Sequence, residues 1–124
     1  MRKNFIFKLH TYPFKVMVSL GEKEKDLSKT LKKLNVDCNK ECVSVKGCAG
    51  YFIPFSNYLL LIRSKKYPKT SQDFAILQHE ILHCCFFILK EVGIRLSPKS
   101  EEAYTYLLET ITYKILKQIK KNGN

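Results

Sequence analysis

The sequence has no apolar run as long as the roughly 18 residues that a membrane-spanning helix requires. Near the N-terminus, Lys8 and His10 interrupt the apolar residues before the core of a signal peptide can form. The five cysteines are an odd number, which excludes complete disulfide pairing within one chain. These absences predict a cytoplasmic protein with reduced thiols that does not enter a membrane.

Acidic residues are also scarce, since 11 Asp and Glu stand against 22 Lys and Arg and leave a net charge of +11. Such a charge favours nucleic acid or another polyanion as a partner. However, the arginines are only Arg2, Arg63 and Arg95, although bidentate contacts with phosphates and base edges favour arginine. Because the lysines are scattered, a solvated lysine-rich surface is the favoured interpretation, and nucleic acid remains the alternative.

The 124 residues, 45% of them apolar, suffice for one domain with one core, residues 1–124. Its first part, residues 1–70, is predicted to hold a strand, a helix and a hairpin. Apolar residues alternate over 4–19 and predict an extended chain. Leucines at helical spacing predict a short amphipathic helix over 22–34.

A hairpin is predicted where two apolar runs, 51–55 and 58–63, flank the polar pair Ser56-Asn57. Pro54 has no backbone N–H to give to a central ladder. The strand that contains Pro54 is therefore predicted to lie at the edge of the sheet.

Two long helices are predicted to follow, over 71–92 and 100–120. Thr70 or the residue after it can cap the first helix, and Gly93 ends it. Ser100 is predicted to cap the second helix. Strand, helix, hairpin, helix and helix in this order predict an α+β fold.

The first long helix contains His79-Glu80-Ile-Leu-His83, an H-E-x-x-H motif. Residues four apart lie on one side of a helix, so the two imidazoles can converge on one tetrahedral Zn²⁺. Glu80 is turned about 100° away from His79. It is therefore predicted to act as a general base toward a water activated by the metal, and not as a ligand.

The alternative for His79 and His83 is a pair of core histidines. They share a helix face with Ala75, Ile76 and Phe86, which predicts that they point inward or into a cleft. Burying both without a metal requires a hydrogen-bond partner for each imidazole. The metal site is therefore the favoured hypothesis.

The motif of residues 79–83, followed by Val92-Gly-Ile and by Ser100-Glu-Glu-Ala-Tyr-Thr-Tyr-Leu-Leu108, resembles the small zincin-like proteins common in bacteriophages and prophages. The resemblance implies a zincin-like α+β fold, with a small mixed or antiparallel sheet and a second long helix after the HExxH helix. It also implies a minimal gluzincin zinc site with Glu102 as third ligand. Such a protein would act in a bacterial or phage-infected cell.

Helical periodicity selects a different third ligand. The apolar face of the last helix has its centre about 50° from Glu101 and about 150° from Glu102. That face is formed by Tyr104, Leu108, Ile111 and Ile115. His10 and the cysteines are the remaining candidates for the third ligand.

The cysteines do not complete a second zinc site. Cys38, Cys42 and Cys48 provide the first pair of a zinc knuckle without its second pair. Cys84 and Cys85 follow the HExxH motif on the same helix and are predicted to be ordinary core residues.

The sequence is consistent with three functions. The favoured one is a monomeric zinc metallopeptidase acting on a peptide or protein substrate, with His79, His83 and Glu102 as ligands and Glu80 as base. The second is a zinc-stabilised binding module without catalytic activity. The third is a nucleic-acid-associated metallopeptidase, as in SprT-like proteins, which rests on the motif and the +11 charge.

Overall fold

The structure is a computed structural model that describes residues 2–36 and 47–123. These ranges contain four strands and three helices, so the predicted α+β class is confirmed. The elements are β1 (Asn4–Lys8), β2 (Lys15–Leu20), α1 (Glu24–Lys33), β3 (Gly50–Pro54), β4 (Leu59–Ser64), α2 (Ser71–Glu91) and α3 (Glu101–Asn122).

The strands form one mixed sheet in the order β1-β2-β4-β3. The pairs β1–β2 and β3–β4 are antiparallel, whereas the central pair β2–β4 is parallel. Strand β3 contains Pro54 and lies at an edge, as predicted. The opposite edge is β1.

The two central strands are covered on both faces, which is why β2 and β4 are almost continuously apolar and buried. One face packs against α1 and the other against α2 and α3. Side chains toward α1 include Met17, Leu59 and Leu61, and those toward α2 and α3 include Val16, Val18, Leu60 and Ile62.

Helix α2 begins at Ser71, as the sequence predicts, and ends at Glu91, one residue before the predicted end. The Thr70 hydroxyl accepts from the Asp73 N–H, and the Asp73 carboxylate accepts from the Thr70 N–H, which completes a capping box. Hydrogen bonds from the backbone N–H groups of Thr70 and Lys69 lower the pKa of Asp73. Gly93 adopts a φ of 84°, which suits glycine just after a helix end.

The start of α3 differs from the prediction. Ser100 occupies the N-cap position, but its hydroxyl makes no cap hydrogen bond to the helix. It donates to the Arg95 carbonyl and accepts from the Ser97 N–H at 2.9 Å. The serine therefore stabilises the connection before the helix, because the loop offers it closer partners than the first helical turn.

The hairpin between β3 and β4 is confirmed, with its turn one residue later than predicted. Asn57 and Tyr58 both have a φ of 60° and form the centre of the turn. Two consecutive positive φ angles match the type I′ turn that right-twisted hairpins favour. Tyr58 therefore belongs to the turn, although its apolar ring made it look like the start of a strand.

None of the described helices α1, α2 and α3 combines the length and the apolarity needed to cross a lipid bilayer.

Candidate metal centre

The HExxH motif lies in the middle of α2 and brings its two imidazoles together. The Nε2 atoms of His79 and His83 are 3.2 Å apart, and the ring planes are inclined by 76°. With Glu80, each histidine offers one ligand atom, and all three atoms lie within 4.8 Å of one another. No other group of three histidine, cysteine or carboxylate side chains this close occurs in the described part of the chain.

The distance between the two imidazoles fits a metal ion. Two nitrogens bound to one tetrahedral Zn²⁺ at 2.0–2.1 Å are separated by about 3.3 Å. The Nε2 atoms of His79 and His83 are 3.2 Å apart. The i, i+4 spacing on the helix and the side-chain conformations of the two histidines therefore place these nitrogens at a spacing that a zinc ion can bridge.

Both histidines are exposed, so the interpretation as core histidines is wrong. The buried side of α2 is formed instead by Leu77, Ile81 and Ile88. The expected neighbours Ala75 and Phe86 are exposed as well. The histidine face is thus a solvent-facing side of α2, open to a metal ion and to a further ligand.

Glu80 has a different environment from the histidines. It is only 8% exposed, yet it lines a cavity of about 350 Å³ together with His79, Ile76, Ala49 and Gly50. The carboxylate is thus screened from bulk water but faces the same space as His79. This position suits a group that accepts a proton from a reactant held at the histidines.

Gly50, the first residue of β3, allows this edge strand to approach the motif closely. A Cβ atom at Gly50 would lie 2.6 Å from the Arg63 carbonyl oxygen and 3.5 Å from Glu80 Cγ. Any side chain here would therefore push β3 away from β4. The sequence prediction did not single out Gly50, because its importance comes from a contact between residues distant in sequence.

We expect Gly50→Ala to lower the free energy of unfolding by roughly 1–3 kcal/mol, because the methyl group overlaps a backbone atom of β4. Denaturant unfolding measures this loss. Gly123→Ala is the matched control, since its nearest neighbour would lie at an ordinary 3.6 Å. If both variants unfold at the same denaturant concentration, the close approach at Gly50 is not required.

Arg63, whose carbonyl faces Gly50, is held by a buried polar network. The side chain is 1% exposed. Its guanidinium donates to Ser19 Oγ and to the Glu22 backbone carbonyl, both at 2.7 Å. Ser19 Oγ in turn donates to a Glu22 carboxylate oxygen at 2.7 Å. These bonds fix the ends of β2 and β4 beside the cavity, a role that no sequence pattern indicated.

Helices α2 and α3 run antiparallel, and two side-chain contacts set their register. The amide of Gln78 lies 3.3 Å from the Thr112 hydroxyl. Farther along α2, the ring of Phe86 is 5.6 Å from that of Tyr104. Residues of α2 between these contacts therefore lie opposite the α3 segment 104–112.

The register of α2 against α3 shows which glutamate of α3 lies level with the two histidines. His79 and His83 lie between the two contacts, opposite a segment of α3 whose acidic residue is Glu109. Glu101 and Glu102 belong to the first turn of α3, beyond the Phe86 contact. All three glutamates are exposed, and none belongs to the His79–Glu80–His83 group.

The other candidate ligands do not join the group either. His10 is exposed and lines cavities with residues of the β1–β2 connection and α3. Cys84 and Cys85 are buried in the core as predicted, and burial raises the pKa of Cys85 to about 12 and that of Cys84 further. Because both thiols are fully buried, they do not face the exposed side of α2 that carries the histidines.

Of the three cysteines predicted to be an incomplete zinc knuckle, Cys48 is a free, exposed thiol. Cys38 and Cys42 lie outside the described residues. The position of Cys48 just before β3 places it outside the His79–Glu80–His83 group.

The chain was compared with models of known protein families, with curated proteins and with solved structures, and no match was found in any of the three.

Proposed function

We propose that this protein is a zinc-dependent metallopeptidase of the zincin-like type. His79 and His83 hold the zinc ion, Glu80 acts as general base, and α3 supplies a third ligand. The small mixed sheet, the HExxH helix and the second long helix agree with the resemblance noted in the sequence.

The observation that carries the proposal is the spacing of the imidazoles. Their Nε2 atoms lie 3.2 Å apart on an exposed face, at the separation expected for two zinc ligands. A shared N–H···N hydrogen bond also brings imidazoles to this distance. The Glu80 carboxylate, which lines the cavity with His79, adds the base that a metallopeptidase needs.

A bound zinc ion would polarise a carbonyl group and lower the pKa of a water molecule. Glu80 would accept the proton of that water and pass it to the leaving amine. Because Glu80 is mostly buried and lines the cavity while the histidines are exposed, its carboxylate would act on the reacting atoms from the cavity side. Helix α2 thus carries the proposed metal ligands on its exposed side and the proposed base on a mostly buried side.

Strand β3 is the part of the protein best placed to hold an extended peptide. It is an edge strand, and its first residue Gly50 lines the cavity with His79 and Glu80. A peptide that pairs with such an edge gains backbone hydrogen bonds without a deep side-chain pocket. This arrangement would bring a scissile peptide bond to the motif.

The resemblance and the helix register select different third ligands. The resemblance selects Glu102, which lies in the first turn of α3, beyond the contact between Phe86 and Tyr104. The register brings Glu109 to the same level along the helix axes as the histidines, which supports Glu109 as a second candidate. We retain Glu102 as the proposed ligand and take Glu109 as the alternative that the structure offers.

A metal-binding module without catalytic activity is the second candidate, favoured by the exposure of the site. His79 and His83 lie on an open helix face, and the cavity beside them measures only about 350 Å³. Such a site has few surrounding side chains that could orient a substrate.

The test is to strip the purified protein with a chelator, restore Zn²⁺ and assay a mixed peptide library. We expect about one equivalent of zinc per chain and cleavage that requires the metal. Zinc uptake without cleavage would favour the binding module. A protein that takes up no zinc would contradict both candidates.

A further inference from the structure

Two segments without any acidic residue meet on one side of the protein. Residues 2–20 and 110–123 contain no Asp or Glu. Each carries four basic residues, and they are Arg2, Lys3, Lys8 and Lys15 in the first and Lys114, Lys117, Lys120 and Lys121 in the second. The Asn122 amide donates to the Arg2 carbonyl at 2.6 Å, which joins the two segments.

Between strand β1 and helix α3 these segments form a groove of about 280 Å³, here called the β1–α3 seam. Its lining residues are Arg2, Phe5, Ile6, Phe7, Tyr113, Lys114, Lys117, Gln118 and Lys121. Four of them are cationic, and none is acidic. This groove therefore has an uncompensated positive charge, which the scatter of lysines along the sequence did not indicate.

Aromatic rings lie directly beside the cations of the seam. The Lys114 ammonium is 5.7 Å from the centre of the Phe7 ring, and the Lys117 ammonium is 5.8 Å from that of Tyr113. Tyr113 is nevertheless 62% exposed, and Ile6 in the neighbouring strand is 43% exposed. Aromatic ring surface and positive charge are thus both accessible to solvent at the β1–α3 seam.

A second tyrosine extends this surface along α3. Tyr106 lies two helical turns before Tyr113, roughly 10 Å away on the same side of the helix, and is 63% exposed. It lines the adjacent cavity with His10 and Thr110. Glu109, an exposed carboxylate, lies between the two tyrosines on the same side of the helix, although it lines neither cavity.

We propose that the β1–α3 seam binds single-stranded nucleic acid without strong sequence preference. Lysines along one helix face neutralise backbone phosphates, while exposed tyrosines stack on the bases. A duplex hides its base faces and would leave Tyr106 and Tyr113 unused. An acidic protein could pair with the lysines, but its carboxylates would not stack on the tyrosine rings.

This inference goes beyond the proposed peptidase function and does not rest on it. The seam lies at the β1 edge of the sheet, whereas Gly50 and the metal centre lie at the β3 edge. Loss of zinc binding should therefore leave nucleic-acid binding unchanged.

The experiment measures fluorescence anisotropy of a labelled 20-nucleotide thymidine oligomer with the full chain at increasing salt. We expect the logarithm of the binding constant to fall with the logarithm of salt with a slope of roughly −3. This value follows because each of four phosphate contacts contributes about −0.7 on a single strand. The double variant Lys117→Ala/Lys121→Ala should make this slope shallower by about 1.4.

Tyr113→Ala should weaken binding about 5- to 150-fold without changing the slope, and Tyr113→Phe should restore binding. The matched control for charge is Lys32→Ala/Lys33→Ala, on the exposed side of α1 at the other face of the sheet. His83→Ala should bind the oligomer as the wild type does.

The proposal is overturned if the oligomer does not bind at low salt, or if both double-lysine variants lose the same affinity. Tighter binding of a duplex of equal length, or displacement of the oligomer by poly-glutamate at equal charge, would also overturn it.

Discussion

His79→Ala and His83→Ala are each expected to abolish stoichiometric zinc binding. Each variant leaves one imidazole and the proposed carboxylate of α3 on exposed helix faces, one protein ligand fewer than the three that a catalytic zinc site uses. We expect zinc affinity to fall by more than about 100-fold, since even groups that only orient a ligand are worth 10- to 100-fold. Competition with a chromophoric chelator measures the affinity.

The chain supplies a matched control in His10, the third of its three histidines. His10 is exposed, as the motif histidines are, but lies outside their group. His10→Ala should therefore keep wild-type zinc affinity. Because all three side chains are exposed, the metal-free variants should unfold within about 0.5 kcal/mol of the wild type. Equal zinc affinity in all three variants would refute the proposed metal centre.

The same competition assay decides the third ligand. We expect Glu102→Gln to lose zinc affinity strongly and Glu101→Gln and Glu109→Gln to remain near the wild type. Loss in Glu109→Gln alone would show that the helix register, and not the resemblance, identifies the ligand. Loss in Glu101→Gln alone would support the periodicity argument.

Glu80→Gln is expected to reduce peptide cleavage by about 10²- to 10⁴-fold, the usual contribution of a general base. The amide has nearly the same shape as the carboxylate and occupies the same mostly buried position beside the cavity. Zinc content and melting temperature should therefore remain close to those of the wild type. The measurement compares cleavage rate, metal content and thermal unfolding on the same preparations.

Glu91→Gln is the control for this substitution, since Glu91 is an exposed carboxylate on the same helix and ends it. It should cleave at the wild-type rate. If Glu80→Gln cleaves as fast as the wild type while zinc is bound, Glu80 is not the base. Loss of zinc in Glu80→Gln would instead make it a ligand, as its distance of at most 4.8 Å from the histidine nitrogens allows.

Local sequence patterns predicted most of the fold because the features involved are local. The N-cap at Thr70, the stop at Gly93 and the edge position of Pro54 each follow from residues close in sequence. The turn was misplaced by one residue because the aromatic ring of Tyr58 suggested a strand and not a positive φ.

The motif also predicted which nitrogens come together, since an i, i+4 pair needs only the helix itself. Burial of the histidine face was predicted wrongly, because the packing of α2 against the sheet and α3 decides which side faces solvent. On α3, Leu107 is buried where Leu108 was expected. This shifts the apolar face by roughly 25° and away from Glu101.

The features that no pattern indicated all depend on contacts distant in sequence. Gly50 matters because of the Arg63 carbonyl, and Arg63 is buried because Ser19 and the Glu22 carbonyl accept its hydrogen bonds. The basic seam likewise forms only when the two ends of the chain meet.

The order of the sheet has a consequence for how the chain folds. The pairs β1–β2 and β3–β4 join neighbours in sequence, whereas β2 and β4 are joined only after a long loop that includes α1 has closed. Closing this loop lowers the chain entropy before the hydrogen bonds between β2 and β4 can form. The pairing of β2 with β4 is therefore expected to limit the folding rate. We infer that two hairpins form early and that their union along β2 and β4 is the slow step.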